Sequence, residues 1–328
     1  MRRLNHSFCV APMMDYSDRH DRYLMRLFSK NAVLYTEMVS IQALLYGDPK
    51  RFLMHHPSEN PVALQLGGSD PVEMARGALL GENAGFDEIN INVGCPSTRV
   101  QAGRFGACLM KEPDLVSQCF NMMQEKVNIP ITIKCRLGID NNDEYIDLFK
   151  FVERVSSEGC KTFIVHARKA WLNGLSPKQN REVPPLNYDV VYQLKKDFSD
   201  LEIIINGGII SISETLAHLS FVDGVMIGRE AYRNPALLSQ VDRIIYGLES
   251  PPVCILDVLE MYKRYIEKEL FIGTPLRSMT RHMSGLFFGR RGARSWRNLL
   301  ASYSSDETAG LEVVLKAQQY AQKIIRQL

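Results

Sequence analysis

The sequence contains no C-x-x-C pair. Its seven cysteines are scattered singly, and the count is odd. That pattern excludes a disulfide framework and a structural zinc site, so no metal is expected and a reducing cytoplasm is the natural compartment. No stretch approaches the ~20 apolar residues of a membrane helix, and the N-terminus lacks an apolar run of signal-peptide length. A membrane partner is therefore not expected. Neither a coiled-coil pattern nor an exposed apolar stripe stands out, and no protein partner is expected. Net charge is also scarce: 39 Lys and Arg against 37 Asp and Glu leave only +2.

Acid is missing locally, however. Between Glu269 and Asp306 there are six arginines (Arg277, Arg281, Arg290, Arg291, Arg294, Arg297) and no carboxylate. A second acid-free stretch, from Cys160 to Arg181, holds Lys161, Arg168, Lys169, Lys178 and Arg181. Basic patches on a near-neutral chain point to local anion contacts, phosphates among them. The alternative is two solvated faces.

What is present repeats. Short apolar, β-branched runs fall at Phe8–Met13, Val33–Val39, Val62–Leu66, Glu88–Val93, Ile131–Cys135, Thr162–His166, Glu202–Asn206 and Gly224–Ile227. Their near-continuous apolarity fits strands buried on both faces. Between them lie helical segments with capping signals, such as Asp70-Pro71, Glu112-Pro113 and the serines at 211 and 213. Gly85 and Gly159 fall where helices should stop. Eight strands alternating with helices predict a (β/α)₈ TIM barrel over residues 1–246, because eight is the number that closes. A doubly wound sheet is the alternative, but no G-x-G-x-x-G follows the first strand. Residues 247–252 read as a linker. Beyond them the periodicity is helical, with apolar stripes at Ile255, Val258, Leu259, Tyr262 and Ile266 and at Val314, Ala317, Ala321, Ile324 and Ile325. This predicts a small C-terminal helical bundle, 247–328, that carries the arginine run.

Barrel active sites sit at the C-terminal ends of the strands. There the sequence places Pro12-Met13-Met14, Glu37, Gln65, Asn92 with Cys95, Lys134 with Arg136, His166 with Arg168, Asn206-Gly207-Gly208 and Gly228-Arg229. Barrel phosphate sites follow the last two strands. Glycines let backbone amides approach an anion, so Asn206-Gly207-Gly208 and Gly228-Arg229 together point to a phosphorylated cofactor. Lys134 in the barrel mouth would stabilise a negatively charged reduced flavin ring, and Gln65 would hydrogen-bond its pyrimidine edge. His166 reads either as a cofactor contact or as a satisfied core histidine. A long segment, Arg168–Pro185, follows the sixth strand, and long loops on this face usually bind something.

The run Asn92-Val93-Gly94-Cys95-Pro96, with Ala11-Pro12-Met13, Lys134-Cys135-Arg136, Asn206-Gly207-Gly208 and Gly228-Arg229, resembles the tRNA-dihydrouridine synthases. The segment His166–Leu172, followed by Gly174–Lys178 and Asn180-Arg181, resembles their A-type bacterial subfamily. The resemblance implies FMN as cofactor, NADPH as reductant, and tRNA as substrate, reduced at the bond between carbons 5 and 6 of a D-loop uridine at conventional positions 20 and 20a. It implies that Pro12, Met13, Met14, Gln65, Lys134, His166, Asn206, Gly207, Gly208, Gly228 and Arg229 bind the flavin. It makes Cys95 the general acid, places Asn92 beside the uracil, and takes His166 out of the core reading. A cysteine thiol titrates at about 8.5, so near neutrality it carries a proton to give. Arg294 and Arg297, spaced for one helix face, are expected to hold tRNA phosphates, with Arg168, Lys178 and Arg181 doing so from the barrel side. A flavin barrel acting on a free pyrimidine, as dihydroorotate dehydrogenases do, leaves the basic tail and loop unexplained. An RNA-binding protein without catalysis leaves Cys95 and Lys134 unexplained.

Overall fold

The computed structural model describes residues 4–142, 144–249, 251, 253–302 and 310–326, the last three by backbone only. Its strands are β1 (Phe8–Val10), β2 (Val33–Tyr35), β3 (Val39–Ser40), β4 (Val62–Gly67), β5 (Glu88–Asn92), β6 (Ile131–Arg136), β7 (Thr162–His166), β8 (Glu202–Asn206) and β9 (Gly224–Ile227). All pairings between them are parallel, and β2 pairs with both β1 and β4, which closes the sheet into a barrel.

The second predicted strand, Val33–Val39, is interrupted. Tyr35 pairs with Ala63 and Val39 with Leu66, so Thr36, Glu37 and Met38 face only Leu64 and Gln65. One extra residue makes a bulge. The Thr36 hydroxyl fills the gap by accepting the Gln65 backbone N–H at 3.0 Å. Thus β2 and β3 are two halves of one stave, and the barrel has the eight staves the sequence predicted.

Helices cover the outside. Arg19–Phe28 starts at Asp18, whose carboxylate accepts the His20 and Asp21 amides. Pro71–Ala84 is capped by Asp70 and ends at Gly85, whose φ of +93° is left-handed. Ser211, not Ser213, caps Ile212–Leu219. Glu112 precedes Pro113–Gln124 without a side-chain capping bond. The tail is helical as expected: Ile255–Phe271, Leu276–Thr280, Ala293–Ala301 and Leu311–Arg326. Ile255, Val258, Leu259, Tyr262 and Ile266 are buried, as are Val314, Ala317 and Ala321. The side chains of Ile324 and Ile325, and residues Ser250 and Pro252 of the expected linker, lie outside the described residues. Among the described residues, no helix is long and apolar enough to cross a membrane.

Alternation along the strands decides what lies inside the barrel. One side of the interior is apolar, with Cys9, Ala11, Val33, Ala63, Ile164, Ile204 and Met226 in one cluster. Toward β5 and β6 it is polar. At the floor, His6 lies 2.7 Å from Glu88 and 3.2 Å from Glu202. Tyr35 and Thr132 donate to the other Glu88 oxygen, and Thr162 donates to Glu202. Burial alone would lower the His6 pKa, but the charge of Glu88 and bonds to both glutamates raise it from 6.5 to about 10.

Truncation of His6 would leave two buried carboxylates without their cation. His6→Ala is expected to lose roughly 3–5 kcal/mol in urea unfolding. Because folding raises this pKa, the charge's contribution is complete below pH 6.5 and is lost as pH rises through about 10. The gap between the two proteins should therefore narrow over that window; a gap that widens would refute the cationic role.

Candidate active site

The inward positions continue to the barrel mouth. Gln65, Asn92, Lys134, His166 and Asn206 are the upper inward residues of β4, β5, β6, β7 and β8, and Gly228 follows β9. Register explains the layer. Asn92 is level with Lys134, and His166 is level with Asn206. The Lys134 ammonium reaches across β7 to the Asn206 side-chain oxygen at 3.0 Å. The Asn206 amide nitrogen donates to the Met226 carbonyl at 2.8 Å.

The cysteine turn is held locally by Asn92. Its side-chain oxygen accepts the amides of Gly94 and Cys95 at 3.1 and 3.0 Å, and its amide nitrogen donates to Gln65 at 2.8 Å. Gln65 donates in turn to Asn90, Asn90 to Thr132, and Thr132 to Glu88. The Cys95 carbonyl accepts the Ala107 amide at 2.9 Å. That approach requires Gly106, where a Cβ would lie 2.6 Å from the Cys95 oxygen. Cys95 itself is partly exposed, a free thiol at the mouth.

Cations surround it. Burial pushes the Lys134 ammonium down to about 8, and neighbouring Arg136 pushes the same way. Arg136 is buried, held at about 10 chiefly by that burial, and among the described residues its partners are carbonyl oxygens: Gly94 at 2.8 Å, Lys169 at 3.1 Å and Asn180 at 3.0 Å. Burial, and then the charges of Arg136, Lys134, Arg168 and Arg181, drive the His166 pKa well below its usual range. His166 is thus a neutral imidazole. Among the described residues no hydrogen bond reaches its ring.

Beyond β8 the backbone turns through Gly207 (φ +122°) and Gly208 (φ +74°). A Cβ at Gly207 would meet the His166 ring at 2.7 Å, and one at Gly208 would meet Leu186 at 2.5 Å. Before the first helix, the Ser17 hydroxyl accepts the Met13 amide at 2.7 Å and lies 3.0 Å from its carbonyl. Pro12 and Met13 are half-buried there and Met14 is exposed.

The remaining expected contacts divide. Arg229 lies at the mouth but pairs with exposed Glu182 at 2.9 Å. Arg168 donates to the carbonyls of Glu182 and Pro184, bracing the long loop. Lys178 and Arg181 are exposed on that loop, which buried Asn180 organises by hydrogen bonds to Trp171, Leu175 and Ser176. Arg294 and Arg297 are exposed on Ala293–Ala301, among the tail helices rather than in the strand-end layer. The sequence reading gave Arg136 no role, although its spacing of two from Lys134 signals the same inward face. Thr36 and Gln101 carried no signal of their own, and Asn180 only as part of the family-like motif.

The dihydrouridine synthase (Dus) family profile matches residues 9–325. A tRNA-dihydrouridine(20/20a) synthase of Shewanella oneidensis is 53% identical, over 98% of this chain and 96% of its own length. Its counterpart in Vibrio cholerae is 53% identical over 94% of each chain, and that of Escherichia coli K12 is 54% identical over 94% of this chain and 89% of its own. Among solved structures, morphinone reductase superimposes with a TM-score of 0.52 at 11% identity, covering 75% of this chain and 87% of its own. That last likeness is one of fold. The match over nearly the whole length, together with a cysteine turn pinned at the mouth of a closed parallel barrel, makes this chain a member of the dihydrouridine synthase family.

Proposed function

We propose that the protein is a flavin-dependent tRNA-dihydrouridine synthase that uses FMN and NADPH to reduce a D-loop uridine at position 20 or 20a. The observation that carries this reading is the upper inward layer of the barrel, where Lys134, His166 and Asn206 lie beside the pinned Cys95 turn. Residues 1–246 serve as the catalytic barrel and 247–328 as the tRNA-binding helices. The cytoplasm is its compartment.

The residues fit a phosphorylated flavin. Side chains at Gly207 and Gly208 would fill the cradle that these glycines leave. Pro12, Met13 and Met14 follow β1 beside Gly228 and Arg229 of the adjacent β9, where a Cβ at Gly228 would lie 3.8 Å from the Met13 sulfur. Arg229 must exchange Glu182 for a phosphate, which costs little because an exposed pair is worth only about 0–1 kcal/mol. Lys134 supplies the positive charge that a reduced ring calls for and His166 an uncharged ring nitrogen, while buried Gln65, engaged by Asn92 and Asn90, supports the layer from below. A reduced flavin held by these residues would supply the hydride for carbon 6 of the uracil.

The chain's own residues do the rest. Reaching a base in folded RNA requires taking it from its stack, at a cost of roughly a few kcal/mol. The arginines at 294 and 297, with Lys178 and Arg181 of the loop that Arg168 braces, meet that cost through phosphate contacts. Cys95 gives its thiol proton to carbon 5. Asn92 contributes by fixing the turn that aims the thiol, since its side-chain oxygen accepts the Gly94 and Cys95 amides; its second amide hydrogen faces the uracil.

Incubation with FMN, NADPH and unmodified tRNA should add about two mass units to a D-loop uridine, the two hydrogens of one reduced double bond. A protein that oxidises NADPH but leaves tRNA unchanged would sink this reading. Cys95→Ala should keep flavin binding and NADPH oxidation and lose most tRNA reduction, followed by nucleoside mass analysis; full turnover would rule out the acid role. Binding of tRNA should weaken steeply with salt, and Arg294→Ala or Arg297→Ala should each flatten that slope by roughly one unit. An unchanged slope would return these arginines to a solvated face.

A further inference from the structure

Every backbone polar group that can bond in the turn Gly94–Pro96 has a partner. Asn92 takes the two amides, and Ala107 donates to the Cys95 carbonyl. The Gly94 carbonyl goes to Arg136 and the Pro96 carbonyl to Gln101. Asn92 and Ala107 are near neighbours in sequence. The other two partners also hold the long loop after β7. Arg136 donates to Lys169 and Asn180 there. Gln101 uses one amide nitrogen for the Pro96 carbonyl at 3.0 Å and the Leu172 carbonyl at 2.7 Å.

We propose that Gln101 is a positioning residue for Cys95: its amide clamps the cysteine turn to the basic loop 168–185, so that the thiol and the loop's tRNA contacts move as one body. This rests on the function proposed above. The geometry gives Gln101 a defined lever. It sits in the short helix Thr98–Ala102 that leaves the turn, and its own amide bonds to Ser97. Its side chain is therefore aimed by the turn it holds. Both bonded groups are carbonyl oxygens, so only a donor serves, and one –NH₂ supplies both hydrogens. The loop in turn carries Lys178 and Arg181, both exposed. A phosphate drawn to the loop is thereby placed at a fixed distance from the thiol. Proton transfer is sensitive to that distance, since misplacing a reacting group by about 1 Å costs on the order of 100-fold in rate.

The experiment compares wild type, Gln101→Leu, Cys95→Ala and the double variant, each as the flavin-loaded protein with unmodified tRNA under single-turnover conditions. Flavin reduction by NADPH is recorded alongside. Gln101→Leu is expected to reduce the tRNA step about 10- to 100-fold, to shift the KM for tRNA by much less, and to leave NADPH-driven flavin reduction unchanged. In the Cys95→Ala background the same substitution should cause no further loss, because there is no thiol left to aim. An equal loss in both backgrounds, or an effect on KM alone, would overturn the proposal. Should Gln101→Leu fail to fold, Gln101→Glu keeps the size and presents oxygen instead of nitrogen to the two carbonyls, and the same comparison applies. A wild-type protein that does not reduce tRNA at all would overturn the parent reading instead, and this one with it.

Discussion

One unbroken chain of hydrogen bonds inside the barrel governs the rest. It starts at the amides of Gly94 and Cys95 and passes through Asn92, Gln65, Asn90 and Thr132 to Glu88 and His6 at the floor. Glu88, Asn90 and Asn92 alternate along β5, so all three face inward. A register slip of one residue would turn the whole set outward and put apolar Ile89 and Ile91 inside. A break at any link would strand a buried polar group in a low-dielectric interior, where it is costly. The chain therefore fixes strand register and the position of the reactive turn with the same bonds. The bulge at Thr36 belongs to it, because the Thr36 hydroxyl holds the backbone of Gln65.

The mouth of this barrel keeps its positive charge. A buried arginine usually meets a carboxylate, which cancels the field it makes. Arg136 instead meets three carbonyl oxygens. Lys134 meets a side-chain amide oxygen. Dipoles stabilise these cations without neutralising them, so the potential remains available to an incoming anion. Two consequences follow for the ionisable groups. Lys134 falls to about 8, and His166 stays uncharged. Burial leads in both cases, and the mutual repulsion of the cations adds to it. The site is thus prepared for negative charge on a cofactor or a backbone phosphate, with a neutral ring set among the cations.

Much of this was legible, and the limit was sequence distance. The staves announced themselves as apolar runs, and the Cys95 turn is closed by Asn92 only three residues before it. Local signals of this kind survive in a bare sequence. The partners of Arg136 lie 33 to 44 residues away, and Gln101 reaches Leu172 across 71. Nothing in composition or periodicity marks such pairs. Arg229 was legible as a cation at a strand end, but not its exchangeable pairing with Glu182 across 47 residues. Arg168 was legible as basic, yet its guanidinium is turned onto the backbone of its own loop. The bulge escaped because Val33–Val39 reads as one unbroken strand, which does not reveal one surplus residue.

The helical tail shows why fold and orientation need separate forces. Its apolar stripes join the same continuous core as the barrel wall, which provides attraction but little direction. Direction comes from charged contacts on one short stretch. Arg19 takes Glu269 with two bonds, at 2.6 and 2.5 Å. Asp18, already the cap of Arg19–Phe28, accepts His282 at 3.0 Å. Arg281 donates to the Asp15 carbonyl, and the Asp15 amide donates to Glu37 beside the bulge. Partly buried ion pairs of this sort add little net stability, because desolvation offsets their attraction. Their geometry is nonetheless exacting, and they all grip residues 15–19. That segment directly follows Pro12-Met13-Met14 and holds Met13 through Ser17. Through Glu269, Arg281 and His282 the tail is thus tied to the loop that holds Met13, while its apolar stripe packs on the outer helices, so its placement is coupled to the barrel mouth.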